Sequence, residues 1–233
     1  MQVVILCGGK GTRLSEYTEE IPKPLVAIGK KPIIHHLMEM YSSYGHTDFI
    51  LCLGYKGNKI ENYFKNNKAS KKWNISFAHT GDNSTKAERL IKVRKMIKDK
   101  NFLVSYGDDL SDVDVNKVIL HHNKHKKIAT LTAVPLLSPF GIIEINNKNE
   151  AVKFKEKPKL DSWMNGGFYV MNKKIFEFLN PGQELEKEAF EKLAEKKQIS
   201  AYKHNGFWKS MNTLKDVLEL NEMHSKGETP WIK

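Results

Sequence analysis

The chain has 233 residues, 40% of them hydrophobic, which is the size of one large domain with a substantial core. Lysine and arginine number 38 against 27 aspartates and glutamates, a formal net charge of +11. That balance excludes an acidic disordered chain and favours anionic partners such as phosphorylated small molecules. Cys7 and Cys52 are too few for a disulfide framework and lie in apolar runs, so buried free thiols in a reducing compartment are expected. No apolar run reaches membrane-spanning length, and the opening stretch from Met1 to Gly9 lacks the basic region of a secretion signal, so a soluble cytoplasmic protein is predicted. The doublets Lys71-Lys72, Lys126-Lys127, Lys173-Lys174 and Lys196-Lys197 are dispersed along the chain. With no basic arm or aromatic-interleaved stripe, they read as solvated surface rather than a nucleic-acid interface.

In chain order, the apolar run 2–7 stops at glycine and predicts a fully buried strand. Pro32 opens a helix over 33–44, with Ile34, Leu37, Met38 and Tyr41 at helical spacing. Strands follow at 48–53, 75–78, 102–106 and 128–134, alternating with helices at 58–64, 85–97 and 113–124. This alternation predicts a parallel sheet covered by helices. The rhythm then changes to short strands at 141–145, 151–155 and 167–171, the first two joined as a hairpin by the turn cluster Asn146-Asn147-Lys148-Asn149. Helices at 184–196 and 214–226 close the chain. The second half reads as an elaboration on one edge of the first sheet.

The first strand runs into Cys7-Gly8-Gly9-Lys10-Gly11-Thr12-Arg13-Leu14. Three glycines in four positions let backbone N–H groups approach an anion closely. The spacing matches neither a P-loop nor a dinucleotide fingerprint, which would require Gly or Ala where Leu14 stands and an acid where Gly54 stands. Arg13 adds a planar fork for phosphate oxygens, and Lys23 adds a compact charge between Pro22 and Pro24.

Gly8-Gly9-Lys10-Gly11-Thr12-Arg13 followed by Lys23-Pro24 resembles the sugar-phosphate nucleotidyltransferases. Further blocks narrow the resemblance to the glucose-1-phosphate cytidylyltransferases: Gly54-Tyr55-Lys56-Gly57, Thr80-Gly81-Asp82, Tyr106-Gly107-Asp108, Glu156-Lys157-Pro158, Asn165-Gly166-Gly167-Phe168 and Gly206-Phe207-Trp208. They occur in order from end to end. The resemblance implies an α/β, Rossmann-like (GT-A-like) fold with a mostly parallel central sheet flanked by helices and a small β-rich elaboration in the C-terminal half. It implies one nucleotidyltransferase domain over 1–233, with 1–134 serving the nucleotide and 135–233 the sugar phosphate. The implied reaction transfers CMP from CTP, or a nucleotide from another NTP, to a sugar 1-phosphate such as glucose 1-phosphate. A homo-oligomer is also implied.

Such a reaction brings two polyanions together, so positioning and cationic stabilisation matter more than a general base. The resemblance assigns Arg13 and Lys23 to catalysis. It assigns Leu6, Cys7, Gly8, Gly9, Gly11, Thr12, Arg13, Lys23, Thr80, Gly81, Asp82, Arg89, Tyr106 and Gly107 to the nucleotide. Asp108, Glu156, Lys157, Asn165, Gly166 and Gly167 fall to the sugar phosphate. Mg²⁺ is implied, held by Asp108 and by Asn212, which stands where the family has a second aspartate; Asp109 or Asp216 could compensate for the lost charge. Two more departures are Lys86-Ala87-Glu88 in place of glycines before Arg89, and a short 65–73 segment where the family carries an insertion.

Other polar pairs have plainer readings. His121 and His125 read as a solvated helix end rather than a metal pair, and His35-His36 as one buried and one exposed histidine. Asp112 and Asp114 mimic the metal motif of nucleotide-sugar-dependent glycosyltransferases but read as a helix cap. Trp208 and Trp231 read as core or lid packing. A glycosyltransferase built on Asp112 and Asp114, and a non-catalytic sensor suggested by Asn212, are the competing functional readings.

Overall fold

The computed structural model describes residues 1–232, without the side chain of Glu16. Seven strands form its central sheet: β1 (Val3–Leu6), β2 (Asp48–Leu53), β3 (Asn74–His79), β4 (Asn101–Tyr106), β5 (Ala129–Leu137), β6 (Lys159–Asn172) and β7 (Ile199–Lys203). Their spatial order is β7-β5-β6-β4-β1-β2-β3. Four pairs are parallel (β1–β2, β1–β4, β2–β3, β5–β7), while β6 runs antiparallel to both β4 and β5.

β1 shows why the sheet is central. Val3 and Ile5 join the core on one face, and Val4 and Leu6 the core on the other, as period-2 side chains do when both faces are covered. The first core packs α1 (Ile33–Ser43), α2 (Gly57–Asn66), α4 (Val115–His125) and α5 (Leu214–Ser225) against the sheet. The second is closed by α3 (Lys86–Val93) and the segment from Ile175 to Leu193. Two helix starts are fixed by reciprocal caps, Thr85 with Glu88 on α3 and Thr213 with Asp216 on α5. Asp216 is thus engaged in capping.

The sheet corrects one expectation. The second half is not appended at an edge: β6 inserts between β4 and β5, so those two strands never pair. The alternating pattern gave no warning, because an inserted antiparallel strand buried on both faces looks like any other apolar run. β6 is also 14 residues long, whereas the sequence pattern marks only 167–171. The helix expected over 184–196 divides into a wide π-type turn at Leu185–Phe190 and a short α-helix at Glu191–Glu195. A small two-stranded ribbon, Asp109–Ser111 with Trp208–Ser210, was not foreseen; it pins the chain after β4 to the segment before α5. The hairpin Ile142–Ile145 with Ala151–Lys155 forms as expected.

Both cysteines are buried and free. His35 and His36 are both buried, contrary to the expectation of one exposed ring, because α1 is covered on two sides: Tyr63 and Trp73 contact His35, while Trp231 and His224 contact His36. Burial lowers the pKa of His36, His46 and His122 below the ordinary 6.5. A histidine with a depressed folded pKa contributes stability that is complete above its unfolded value and is lost as pH falls through the folded one. Thermal melts should therefore show the midpoint falling from about pH 7.5 to about pH 5.5, with a shallower slope in His122→Gln.

Candidate active site

A cavity of about 510 Å³ opens at the carboxyl ends of β1 and β4. β2 lies on one side of β1 and β4 on the other, so this is the point where the strand order reverses and where open α/β sheets bind ligands. The cavity brings together most of the residues singled out from sequence: Leu6, Cys7, Gly8, Gly9, Gly11, Thr12, Arg13, Lys23, Arg89, Tyr106, Gly107, Asp108, Asn165 and Asn212. Arg13 is exposed, and among the described residues its guanidinium has no hydrogen bond or ion pair. The Cys7 thiol lies against the Cys52 carbonyl at 3.3 Å, and burial pushes its pKa well up, which makes it an inert wall rather than a nucleophile.

Arg89 is buried at the back of the cavity, where its guanidinium is bonded to the protein itself. Its guanidinium donates to the Thr80 hydroxyl at 2.6 Å and to the carbonyls of Gly8, Gly81 and Leu53 at 2.9, 2.9 and 3.2 Å. A further bond reaches the Asp82 carbonyl at 3.4 Å. Thr80, Gly81 and Asp82 thus lie outside the cavity and hold the arginine, and the arginine holds the glycine loop. A Cβ on Gly8 or Gly54 would collide with this guanidinium, which is why both positions need glycine. The Gly54-Tyr55-Lys56-Gly57 block braces the far end of the loop: Tyr55 and Lys56 donate to the Thr18 carbonyl at 3.2 and 3.1 Å.

On the opposite wall, the buried Lys23 ammonium donates to the Asp108 carboxylate and, at 2.9 Å, to the Asn212 side-chain oxygen. Residues distant in sequence therefore converge on one cation. Asp109, next to Asp108, also lines the cavity; burial and the Asp108 charge raise its pKa well above the usual carboxylate range. Two side-chain oxygens already directed at one positive charge suit a hard divalent ion, which takes one or two protein oxygens and completes its shell with phosphate oxygens. No cluster of three or more His, Cys, Asp or Glu side chains is present among the described residues.

The third wall joins Tyr106 and Asn165, both expected from sequence, to residues that sequence reasoning missed. Lys86 pairs with Glu186 at 2.5 Å and lies 4.5 Å over the Tyr106 ring. Tyr106 donates to Glu186 and shares a 2.7 Å hydrogen bond with Tyr169, whose hydroxyl also receives Asn165 at 2.7 Å. Ser84, Thr85, Glu184 and Ser210 complete the lining. Lys86 carried a signal, since it replaces an expected glycine. Glu184 and Glu186 carried none, because they looked like the exposed first turn of an amphipathic helix.

Several expected residues lie elsewhere. Glu156 and Lys157 are exposed outside the cavity and pair with each other at 3.7 Å. Gly166 and Gly167 do not line it either: the Gly166 carbonyl accepts the Trp208 indole N–H at 2.7 Å, and Gly167 donates to Asn165 at 3.2 Å. Trp208 itself reaches the cavity, whereas Trp231 is buried in the core. Asp114 caps α4 by accepting the Lys117 N–H at 3.1 Å, and Asp112 pairs with His204 at 2.8 Å, so neither carboxylate faces the cavity. His121 and His125 stack at 4.2 Å on the surface of α4.

The sequence profile of the Nucleotidyl transferase family matches residues 2–227. The chain belongs to this family. The chain is 41% identical over 254 residues to the glucose-1-phosphate cytidylyltransferase of Salmonella typhimurium strain LT2, covering 99% of this chain and 98% of that one. It is 38% identical over 252 residues to a probable glucose-1-phosphate cytidylyltransferase of Bacillus subtilis, covering 99% of each. Among solved structures, HddC from Yersinia pseudotuberculosis superposes with a TM-score of 0.75 at 24% identity, covering 96% of this chain and 99% of that one. A UDP-glucose pyrophosphorylase complexed with UDP-glucose gives 0.76 at 19% identity, covering 97% and 98%. These structural likenesses establish the fold. Among the described residues, no helix of this nucleotidyl transferase is long and apolar enough to cross a membrane.

The two neighbouring glycines of the loop separate stability from binding. A Cβ at Gly8 meets the Arg89 guanidinium, while one at Gly9 meets nothing within 4 Å. Gly8→Ala should lower the stability of this nucleotidyl transferase by roughly 1–3 kcal/mol through lost Arg89 hydrogen bonds, measured by urea unfolding. Gly9→Ala should leave the unfolding curve unchanged and weaken only nucleotide binding, measured by calorimetry.

Proposed function

We propose that this chain transfers the cytidylyl group from CTP to α-D-glucose 1-phosphate, giving CDP-glucose and pyrophosphate. The observation that carries the reading is the convergence of the glycine loop, Arg13, Lys23, Asp108 and Asn212 on one cavity at the strand switch point. Support for cytosine and glucose comes from the activity named for the relatives at 41% and 38% identity across the whole chain.

In this reading a phosphate oxygen of the sugar 1-phosphate attacks the α-phosphorus of CTP. A new P–O bond forms, the bond from the α-phosphorus to the bridging oxygen breaks, and pyrophosphate leaves with that electron pair. The nucleophile is already anionic, so the protein's task is to hold two polyanions in line. Loop N–H groups and the free Arg13 fork receive the triphosphate, and Lys23 neutralises charge near the α-phosphate. Asp108 and Asn212 would hold Mg²⁺, which supplies further charge neutralisation on phosphate oxygens when bound. The network of Tyr106, Tyr169 and Asn165 orients the sugar side, with Asn165 fixed at 2.7 Å from the Tyr169 hydroxyl. Glu156 and Lys157, in the bend between the hairpin and β6, reach the sugar phosphate from outside the cavity.

Arg13→Ala should lower kcat by roughly 10²–10³ with little change in melting temperature, because among the described residues its guanidinium makes no hydrogen bond or ion pair. Asn212→Asp should lower the half-saturating magnesium concentration by roughly tenfold, since one added charge at contact distance exceeds a kcal/mol. The deciding assay is pyrophosphate release from a matrix of nucleoside triphosphates against sugar 1-phosphates. CTP with glucose 1-phosphate should be fastest; no pyrophosphate from any combination with magnesium present would refute the reading.

A further inference from the structure

The lysine doublets that are scattered in sequence converge in the fold. Lys126-Lys127 precede β5, Lys173-Lys174 follow β6, Lys196-Lys197 precede β7, and Lys98 and Lys100 precede β4. The register places these ends side by side: Asn172 pairs with Asn101, Met171 with Ala129, and Ala129 with Ile199. Three strands start at this end of the sheet and the antiparallel β6 finishes there. Topology thus concentrates lysines opposite the candidate active site, which lies at the carboxyl ends of β1 and β4.

Between these strand ends lies a cleft of about 590 Å³, lined by Lys100, Lys126, Lys127 and Lys174, with Glu177 as the one acid among its described lining residues. None of the four ammonium groups has a carboxylate within 4.0 Å among the described residues. The frame of the cleft is fixed. The Asn172 amide donates to Asn101 at 2.6 Å and its oxygen accepts the Lys174 N–H at 3.0 Å. Lys126 ends α4 in the left-handed region, its N–H held by the His122 carbonyl at 2.9 Å.

Four like charges around one concavity repel one another, and a compact ligand with several negative charges relieves that repulsion most. We propose that this cleft is a second anion site, separate from the cavity at β1 and β4, that takes an oligophosphate, either inorganic or carried by a nucleotide. A concave site bounded by strand ends suits a small polyanion better than a flat membrane or a duplex. The proposal does not depend on the reaction assigned to the first cavity.

The test is calorimetric titration of inorganic pyrophosphate, and separately of CTP, into the wild type and into Lys126→Ala/Lys127→Ala/Lys174→Ala. The wild type should bind in two phases. The triple variant should lose one phase or bind it at least about tenfold more weakly, while melting like the wild type and keeping its turnover. Arg13→Ala/Lys23→Ala should lose the other phase only. The CTP and pyrophosphate arms tell a nucleotide-borne from a free oligophosphate. If the triple variant melts lower, Lys174→Gln alone repeats the comparison. Identical isotherms for wild type and lysine variants would overturn the proposal. So would capture of duplex DNA or anionic vesicles through these lysines at concentrations where pyrophosphate does not bind.

Discussion

A buried guanidinium that bonds a hydroxyl and backbone carbonyls, with no carboxylate partner among the described residues, sets the shape of the candidate active site. Arg89 is almost wholly removed from water, yet its donors meet oxygens from the ends of β1 and β2 and from the Thr80-Gly81-Asp82 turn. Burial lowers its pKa, but arginine stays charged, so those oxygens must stay in place around it. The glycine loop is therefore held from behind, with its front left open to a ligand. Preorganisation of this kind is what a site for polyanions needs, because donors that already point inward need no rearrangement when charge arrives.

The second constraint is electrostatic. Lys23 is satisfied by one carboxylate and one neutral amide, so the group formed with Asp108 and Asn212 is close to neutral before any ligand enters. An aspartate at 212 would leave this group with a spare negative charge. The asparagine keeps a ligating oxygen but not the charge, so a divalent ion bound here would compete with Lys23 on less favourable terms. The nearby Asp109 does not restore the balance, since burial and its neighbour favour its protonated form.

Much of the site was legible because its residues sit in contiguous blocks at strand ends. Gly8, Gly9, Gly11 and Arg13 follow β1, and Asp108 follows β4, so locating the apolar runs located these lining residues of the cavity. Arg89 could be placed near the loop from sequence, but its role as a clamp could not, because that depends on which oxygens surround it. Tyr106 was legible from its strand-end block, but Glu186 fixes it and Lys86 through contacts between segments far apart in the chain, which no local pattern records. The burial of both His35 and His36 escapes the sequence for the same reason: an amphipathic pattern marks one buried face, whereas a helix covered on both sides has two.

Strand periodicity, turn chemistry and the glycine loop are local properties, and the sequence alone determined the alternating architecture of the first half, the hairpin at 142–155 and the position of the glycine loop. The tertiary structure decided where β6 inserts, because strand order depends on which edges are free and not on any strand's own composition. That insertion turned three dispersed lysine doublets into one basic rim, since charges before two strands and after an antiparallel neighbour meet only when the sheet closes around them.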